Sequence, residues 1–559
     1  MGYINMKLSD YVFKFLEDYT DMVFLLSGGG IMHLVDSLGN SKLHAICCHH
    51  EQACAIAAEG YARIKNKVGV SLVTTGPGGT NAITGVAGAW LDSIPMLVIS
   101  GQVKTGDITP KVRGIPIVRA TGFQELNVVD LVKPITKYVV TINKPNEIKY
   151  QLEKALYLAT NERPGPVWVE IPLDIQTVEI DIRKLKGFKK PLIKKNYQSE
   201  KINLIAKKLN EAKRPLLMVG NGTRLVGGEK ILQKILDKLK INAVTPIFTA
   251  DDLVTSDYLY YLGRQGMPGN ETANWAMDNC DLLLIIGERM QLTQVSYDYK
   301  KFSPDAFKIM VDIDENEINK KTLKIDLPVC MDAKLFLEEL FKKDIKLNRW
   351  NVEVKPINVK KYESSGNFVN VYSFFEGLNK NIFGLNIATT NGMASVATHQ
   401  AIKIKNGQRI ITNAGLGHMG SGLPLAIGVC LASGKSPTIC MEGDGSLMLN
   451  IQELQTIIYH KLPIKIFIFN NGGYYSIRNT HQNYFQRVFA ADVKSGLSLP
   501  DFEKLTKGWG LKYIKIANNK EIYKIKKVID YPGPIVCELI IDPQQKMLPK
   551  WSAGNLKEN

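Results

Sequence analysis

The chain has eight cysteines in 559 residues, and none of them falls into a paired-spacing framework. That excludes a disulfide-stapled secreted scaffold and sets the expectation of a reducing, cytoplasmic setting. No stretch reaches the roughly 18 uncharged apolar residues of a membrane span, so no membrane partner is expected. There is no low-complexity tract and no short-period repeat. The opening, MGYINMKLSDYVFKFLEDY, lacks the basic end and uninterrupted apolar core of a signal peptide, and none is expected.

What is present reads as an ordinary globular protein, 45% hydrophobic and 22% charged. Its length exceeds a single core and suggests about three or four domains. The formal charge of +16 invites a nucleic-acid reading, but the lysines are spread along the chain. The basic runs at 184–195 and 340–361 fall between the motif-bearing regions, as solvated linkers and helix faces do, so no nucleic-acid partner is expected.

Runs rich in Val, Ile and Leu alternate with helical patterns, the mark of parallel α/β domains. Strands are expected at 68–75, 96–101, 215–220, 281–287, 307–314, 438–444, 464–471 and 534–542. Most end in Gly, Asp, Asn or Thr, the residues expected where an α/β site opens at the carboxyl ends of strands. Charged, Pro-containing, aperiodic stretches at 180–200 and 341–366 divide the chain. The expected fold is α/β with three domains, 1–185, 186–350 and 351–559, each a mainly parallel sheet flanked by helices. The first and last are candidates for a shared architecture.

AICCHHEQACAIAAEGYAR (45–63) gathers Cys47, Cys48, His49, His50 and Glu51. Adjacent side chains splay apart and cannot easily converge on one ion, so a zinc reading is weak. The small-residue helix that follows has to pack closely against another surface, with Glu51 at its start.

NAGLGHMGSG (413–422) holds a literal G-x-G-x-x-G in Gly415, Gly417 and Gly420, and Glu442 lies about 20 residues further on. Taken alone, it favours a dinucleotide-dependent oxidoreductase. A second glycine turn, Gly443-Asp444-Gly445-Ser446, does not belong to that pattern. It has a partner in Asn470-Asn471, at the next predicted strand end, with the Gly473 carbonyl just beyond. Hard oxygens beside a glycine-rich helix start suit Mg²⁺ and a diphosphate.

GDGSLMLNIQELQTIIYHKLPIKIFIFNNGGYYSI resembles the thiamine-diphosphate (ThDP) motif. HHEQACAIAAEGYAR, TTGPGGTNAITGVAGAWLDSIPMLVISGQV and TGFQELNVVDLVKPITKY resemble the amino-terminal domain of acetolactate-synthase-like enzymes. The resemblance covers nearly the whole chain. It implies the ThDP-binding fold with a Rossmann-like central domain, and decarboxylation of a 2-oxo acid, pyruvate first, with transfer of the acyl unit to a second carbonyl. It implies Mg²⁺ on the side chains of Asp444 and Asn471 and the carbonyl of Gly473. Glu51 would bond the aminopyrimidine ring, and Met419 would prop the cofactor into its bent form. Gly28, Gly29, Pro77 and Asn81 resemble the pyrimidine-side loops. Gly392, Ser395, Gly417, Gly443, Gly445, Ser446 and Tyr474 complete the expected cofactor set, although TTNGMAS (389–395) lacks the usual Gln-His of the family's diphosphate-contacting loop.

Phe123 and Gln124 match a segment that faces the reacting carbonyl, as Lys137 does more loosely, and His418 is a further catalytic candidate. The central third keeps Arg289 but lacks the acidic segment of the flavin-binding synthases, which leaves FAD open. Thr480 stands where acetolactate synthases carry a Trp that selects the second 2-oxo acid. That departure, with GYYSIRNTHQNYF and KMLPKWSAGNL, resembles polysaccharide-pathway relatives, some of which pass an acetyl unit to a nucleotide-linked keto sugar. Arg478 and His481 are candidates for such an acceptor. In the family the site lies between subunits, so a homodimer or a dimer of dimers is implied. A catalytically idle subunit is a third reading, against which the retained Glu51, Asp444 and Asn471 stand.

Overall fold

The computed structural model describes residues 5–192, 196–249, 253–363 and 367–556. Three six-stranded parallel sheets carry the chain. The first contains β1 (Met22–Leu25), β2 (His44–Cys47), β3 (Gly69–Val73), β4 (Met96–Gln102), β5 (Tyr138–Thr141) and β6 (Pro166–Pro172), in the order β2-β1-β3-β4-β6-β5. The central sheet contains β7 (Pro215–Val219), β8 (Asn242–Pro246), β9 (Tyr261–Gln265), β10 (Leu282–Ile286), β11 (Phe307–Asp312) and β12 (Leu327–Cys330). Its order is β9-β8-β7-β10-β11-β12. The third contains β13 (Asn386–Thr389), β14 (Ile410–Thr412), β15 (Thr438–Gly443), β16 (Ile464–Asn470), β17 (Lys512–Ile516) and β18 (Ile535–Ile540), in the order β14-β13-β15-β16-β18-β17.

Numbered within each sheet, the first and third share the order 2-1-3-4-6-5, so the two outer thirds do have one architecture. The central order, 3-2-1-4-5-6, is that of the doubly wound Rossmann sheet. All eight expected strands are present within a residue or two. Their near-continuous apolar runs follow from burial on both faces, as in β3, β4, β7 and β10.

Five helices matter to the site: α1 (Glu51–Lys65), α2 (Pro77–Leu91), α3 (Met393–Ala401), α4 (Gly422–Ala432) and α5 (Tyr475–Phe485). Every residue of α4 is buried, and the helix is apolar all round because it lies between the first and third domains. Helix α1 packs against it so closely that a Cβ on Gly428 would fall 2.0 Å from the Ala57 carbonyl oxygen. That contact is the reason for the run of small residues after Glu51.

The stretch 180–200 is less irregular than its composition suggests. Glu179–Asp181 pairs antiparallel with Asn5–Lys7, and a helix begins at Ser199; positions 193–195 lie outside the described residues. In 341–366 a short 3₁₀ turn, Val359–Tyr362, interrupts irregular chain, and 364–366 are likewise outside. All eight cysteines are unpaired. Among the described residues no helix is long and apolar enough to cross a membrane.

Candidate active site

The carboxyl ends of β15 and β16 open into a cleft with a cavity volume of ≈ 160 Å³. It is lined by Gly392, Met419, Gly443, Asp444, Gly445, Ser446, Asn471, Gly473 and Tyr474 of the expected set, together with Asn391, Met393, Phe469, Tyr475 and Ile477. Asp444 starts a one-turn helix and is 2% exposed. Its Oδ1 accepts the N–H of Gly445 at 2.6 Å, and its Oδ2 accepts those of Asn471 at 3.1 Å and Gly473 at 2.9 Å. Burial pushes its carboxyl up to about 6, and these backbone donors oppose the shift. Asn471 points its amide nitrogen at the Met393 sulfur, and its Oδ1 accepts a long hydrogen bond from Arg478 Nη2 at 3.5 Å. Gly473 sits at φ +141°, where a Cβ would lie 2.4 Å from the Ala491 carbonyl oxygen, so only glycine fits.

This donor set suits Mg²⁺ held jointly with a diphosphate: hard oxygens, glycine walls and a partly completed coordination shell. Among the described residues no group of three or more His, Cys, Asp or Glu side chains could hold a metal alone. A cation here needs Asn471, a backbone carbonyl and ligand oxygens as well.

None of the first domain's expected residues lines this cleft. Glu51 is the first residue of α1, 6% exposed, and its Oε2 accepts a hydrogen bond from Asn81 Nδ2 at 2.9 Å. Pro77 is the first residue of α2, which places Asn81 one turn further along. Gly28 and Gly29 precede and open a short 3₁₀ turn beside Thr74, whose hydroxyl accepts the Gly30 N–H. Gln124 adopts a left-handed backbone, φ +59°, and Phe123 is 87% exposed.

Several residues singled out in the sequence are engaged within the protein. His50 is the N-cap of α1 and accepts the Gln52 N–H at its Nδ1, while the His49 N–H reaches Glu453 Oε1. These roles are structural, as helix capping demands. Cys48 is buried, but Cys47 is exposed. Lys137 donates to the carbonyls of Asn161 and Arg163. Ser395 is buried on α3 and is not among the residues that line the cleft, and the Gly417 carbonyl accepts from Asn391. Ser446 lines the cleft, but its hydroxyl already bonds Thr390 and the Gly420 N–H. Arg478 is tied to the Asn471 and Pro543 carbonyls, so it is not a free receptor for an anionic acceptor.

The G-x-G-x-x-G loop does not present its amides to a ligand phosphate. The N–H groups of Ala414 and Gly415 donate to Asp92, and that of Gly420 to Ser446. His418, between them, has both ring nitrogens buried without a partner. Burial lowers it to about 4, against a weaker upward pull from Asp92, so the ring is neutral at physiological pH.

A cavity opens at the central sheet's switch point, between β7 and β10. It measures ≈ 90 Å³, and the Gly222 N–H beside it donates to Gly287 O at 2.8 Å. Glu288, buried there, is raised to about 7 by desolvation. An adjoining groove of ≈ 910 Å³ carries Glu162, Asp314, Glu315, Asp332 and Glu338, while its Arg163 is paired with Asp314 and Glu317. Elsewhere in the central domain, buried polar atoms of Gln265, Gln291, Thr293 and Gln294 lack hydrogen-bond partners.

Two like-folded outer domains around a Rossmann domain, with a glycine-walled Asp–Asn cleft, define a thiamine-diphosphate enzyme architecture. Family models agree: the thiamine pyrophosphate enzyme N-terminal TPP binding domain matches residues 6–131, the central domain 202–340 and the C-terminal TPP binding domain 390–539. Within that class the chain belongs to the acetolactate synthase-like family, and it is a ThDP-dependent enzyme. It is 32% identical over 575 residues to a probable acetolactate synthase large subunit of Methanocaldococcus jannaschii, covering 97% of this chain and 93% of that protein. The large subunit of Lactococcus lactis is 30% identical, covering 96% and 92%. The isozyme 2 large subunit of Escherichia coli is 31% identical, covering 94% of each.

Proposed function

We propose that the protein decarboxylates a 2-oxo acid, pyruvate first, and joins the acyl unit to a second carbonyl, with ThDP and Mg²⁺. The observation that carries this reading is Asp444, buried in a glycine-walled cleft with Asn471 and Gly473 converging on it. The names of the relatives supply the substrate class.

Asp444, Asn471 and the Gly473 carbonyl would hold the cation, and Gly392, Gly443, Gly445 and Tyr474 would surround the diphosphate. When bound, the cofactor supplies a carbon nucleophile and an electron sink, which no side chain offers. Glu51 holds a proton position against the aminopyrimidine, and Asn81 fixes the orientation of its carboxylate. Met419 supplies bulk from the 413–420 loop. Neutral His418 can donate or accept a hydrogen bond without bringing charge to the substrate. Phe123 and Gln124 cover the reacting carbonyl.

The first domain's expected residues do not line the cleft of their own chain, and the loop bearing Phe123 also exposes Val112, Ile115, Ile117 and Val118. A second copy is therefore read as completing the site, as a dimer or tetramer, with domain boundaries near 185 and 350 and a cytoplasmic setting. Flavin has no part in this reading.

A larger acceptor, such as a nucleotide-linked keto sugar, is favoured by one observation. Helix α5 leaves the cleft with no buried residue, Thr480 turns its hydroxyl back to the Ser476 carbonyl, and Tyr484 and Phe485 face solvent. That leaves an open mouth with stacking surfaces. Product analysis with pyruvate alone, and then with added carbonyl acceptors, separates the readings. Acetolactate from pyruvate alone supports the first, and CO₂ release that yields a coupled product only with a sugar acceptor supports the second. No coupled product with any acceptor contradicts both.

A further inference from the structure

We propose that Asp92 is a positioning residue that sets the loop carrying His418 and Met419, and that it does so as the meeting point of all three domains. The inference rests on the functional reading above for the use of those two residues, but not for the geometry.

Asp92 is the residue that ends α2 in the first domain. Its two oxygens divide between consecutive amides of the third domain: Oδ2 accepts the Ala414 N–H at 3.0 Å, and Oδ1 the Gly415 N–H at 2.8 Å. Behind it, Arg63 Nη2 lies 2.6 Å from Oδ2 and 2.7 Å from Glu59 Oε1, with all three side chains at most 8% exposed. Glu59 in turn accepts from Asn413 Nδ2 at 2.8 Å. Arg289 of the central domain stands 3.8 Å from Asp92 Oδ1 and donates to the Leu91 carbonyl.

The far end of the loop is fixed separately. Ser446 accepts the Gly420 N–H at 2.8 Å, and Asn450 donates to the Gly420 carbonyl at 2.8 Å. The loop is thus clamped at 413–415 and at 420, and His418 and Met419 lie in the span between the clamps. The second clamp belongs to the metal turn; the first is made by the other domains. A carboxylate accepting two amides at short range makes charge-assisted bonds, which are stronger than neutral ones. The two arginines hold that carboxylate in one orientation in a buried setting. The central domain then contributes to the site through Arg289, with no ligand of its own required.

The test is amide hydrogen exchange on the apoprotein combined with steady-state kinetics, for Asp92→Asn and Asp92→Ala. Asp257→Asn serves as control, because Asp257 pairs with Lys405 and joins the central and third domains through residues outside 413–420. We expect Asp92→Asn to speed exchange in 414–420 at least tenfold and leave α1 unchanged. We also expect kcat to fall at least tenfold, with KM for the 2-oxo acid within threefold. Asp92→Ala should go further in the same direction, and Asp92→Glu, which restores the charge, should recover part of the loss. Unchanged exchange in 414–420 overturns the proposal, as does a rise spread evenly over the first and third domains or shared by Asp257→Asn. A loosened loop with wild-type kcat also overturns it. If the wild type releases no CO₂ from any 2-oxo acid, the functional reading fails, while the exchange data still decide what Asp92 does to the loop.

Discussion

Asn81 donates its side-chain N–H to Oε2 of Glu51 at 2.9 Å, joining the second turn of α2 to the first turn of α1. Glu51 is buried at the start of α1, so its second oxygen is the one left for a ligand. Replacing Asn81 with Ala removes the orienting bond without removing the carboxylate. CO₂ release should fall about tenfold, the scale of a hydrogen bond to a charged group worth ~1.5 kcal/mol, while ThDP affinity measured by calorimetry stays within a few-fold. An unchanged rate would show that Glu51 needs no orienting partner.

Asp444→Ala and Asn471→Ala should each weaken ThDP binding by more than tenfold, a loss of at least about 1.4 kcal/mol. Chelation of divalent cations should do the same to the wild type, and Mg²⁺ should restore it. Calorimetric titration with and without chelator checks both, and chelator-insensitive binding would count against the cation site.

His418 ties stability to acid pH. Its folded value lies near 4, against 6.5 for the free side chain. The neutral ring is therefore favoured in the folded state. Its stabilising contribution is full above about pH 6.5 and is lost as pH falls toward 4, by at most about 1.4 kcal/mol per pH unit. His418→Gln should flatten the fall in Tm across that window, and a slope identical to the wild type would contradict the buried, neutral ring.

Glu288 has the opposite sign. Desolvation raises its carboxyl to about 7 from 4.5, and Thr249 donates to Oε2 at 3.0 Å. Stability from this group is full below about pH 4.5 and declines as pH rises through 7. Glu288→Gln keeps the shape and removes the charge, so Tm should rise at pH 8, by a free energy on the order of 2–3 kcal/mol, and change little at pH 4.5. No gain at pH 8 would mean that the carboxylate is better compensated than its surroundings suggest.

Much of this was legible in the sequence, and for physical reasons. Parallel strands buried on both faces write continuous apolar runs, so β3, β4, β7 and β10 stand out, and so does the common plan of the outer domains. The two glycine-flanked strand ends drew attention to Asp444, Asn471 and Gly473, and the structure brings these three together in one cleft. The small residues after Glu51 anticipated a close packing, and Gly428 against Ala57 is that packing.

What stayed hidden are the partners that burial creates across long sequence distances. Nothing local marks His50 as a cap, Ser446 as a clamp on Gly420, or Arg478 as a brace for Asn471. Asp92 sits in AWLDSIP, a turn between a helix and a strand that resembles many others. Its role appears only when Arg63, Arg289 and Ala414 arrive from three domains.

The most direct test of the central claim is CO₂ release from carboxyl-labelled pyruvate with ThDP and Mg²⁺, measured side by side for the wild type and Glu51→Gln. The expected result is label release by the wild type that depends on both cofactors, and a rate lower by about 10²–10⁴-fold in the variant, the usual worth of a positioned proton-transfer group. Release of the label at equal rates in both proteins, or release independent of ThDP, would contradict it.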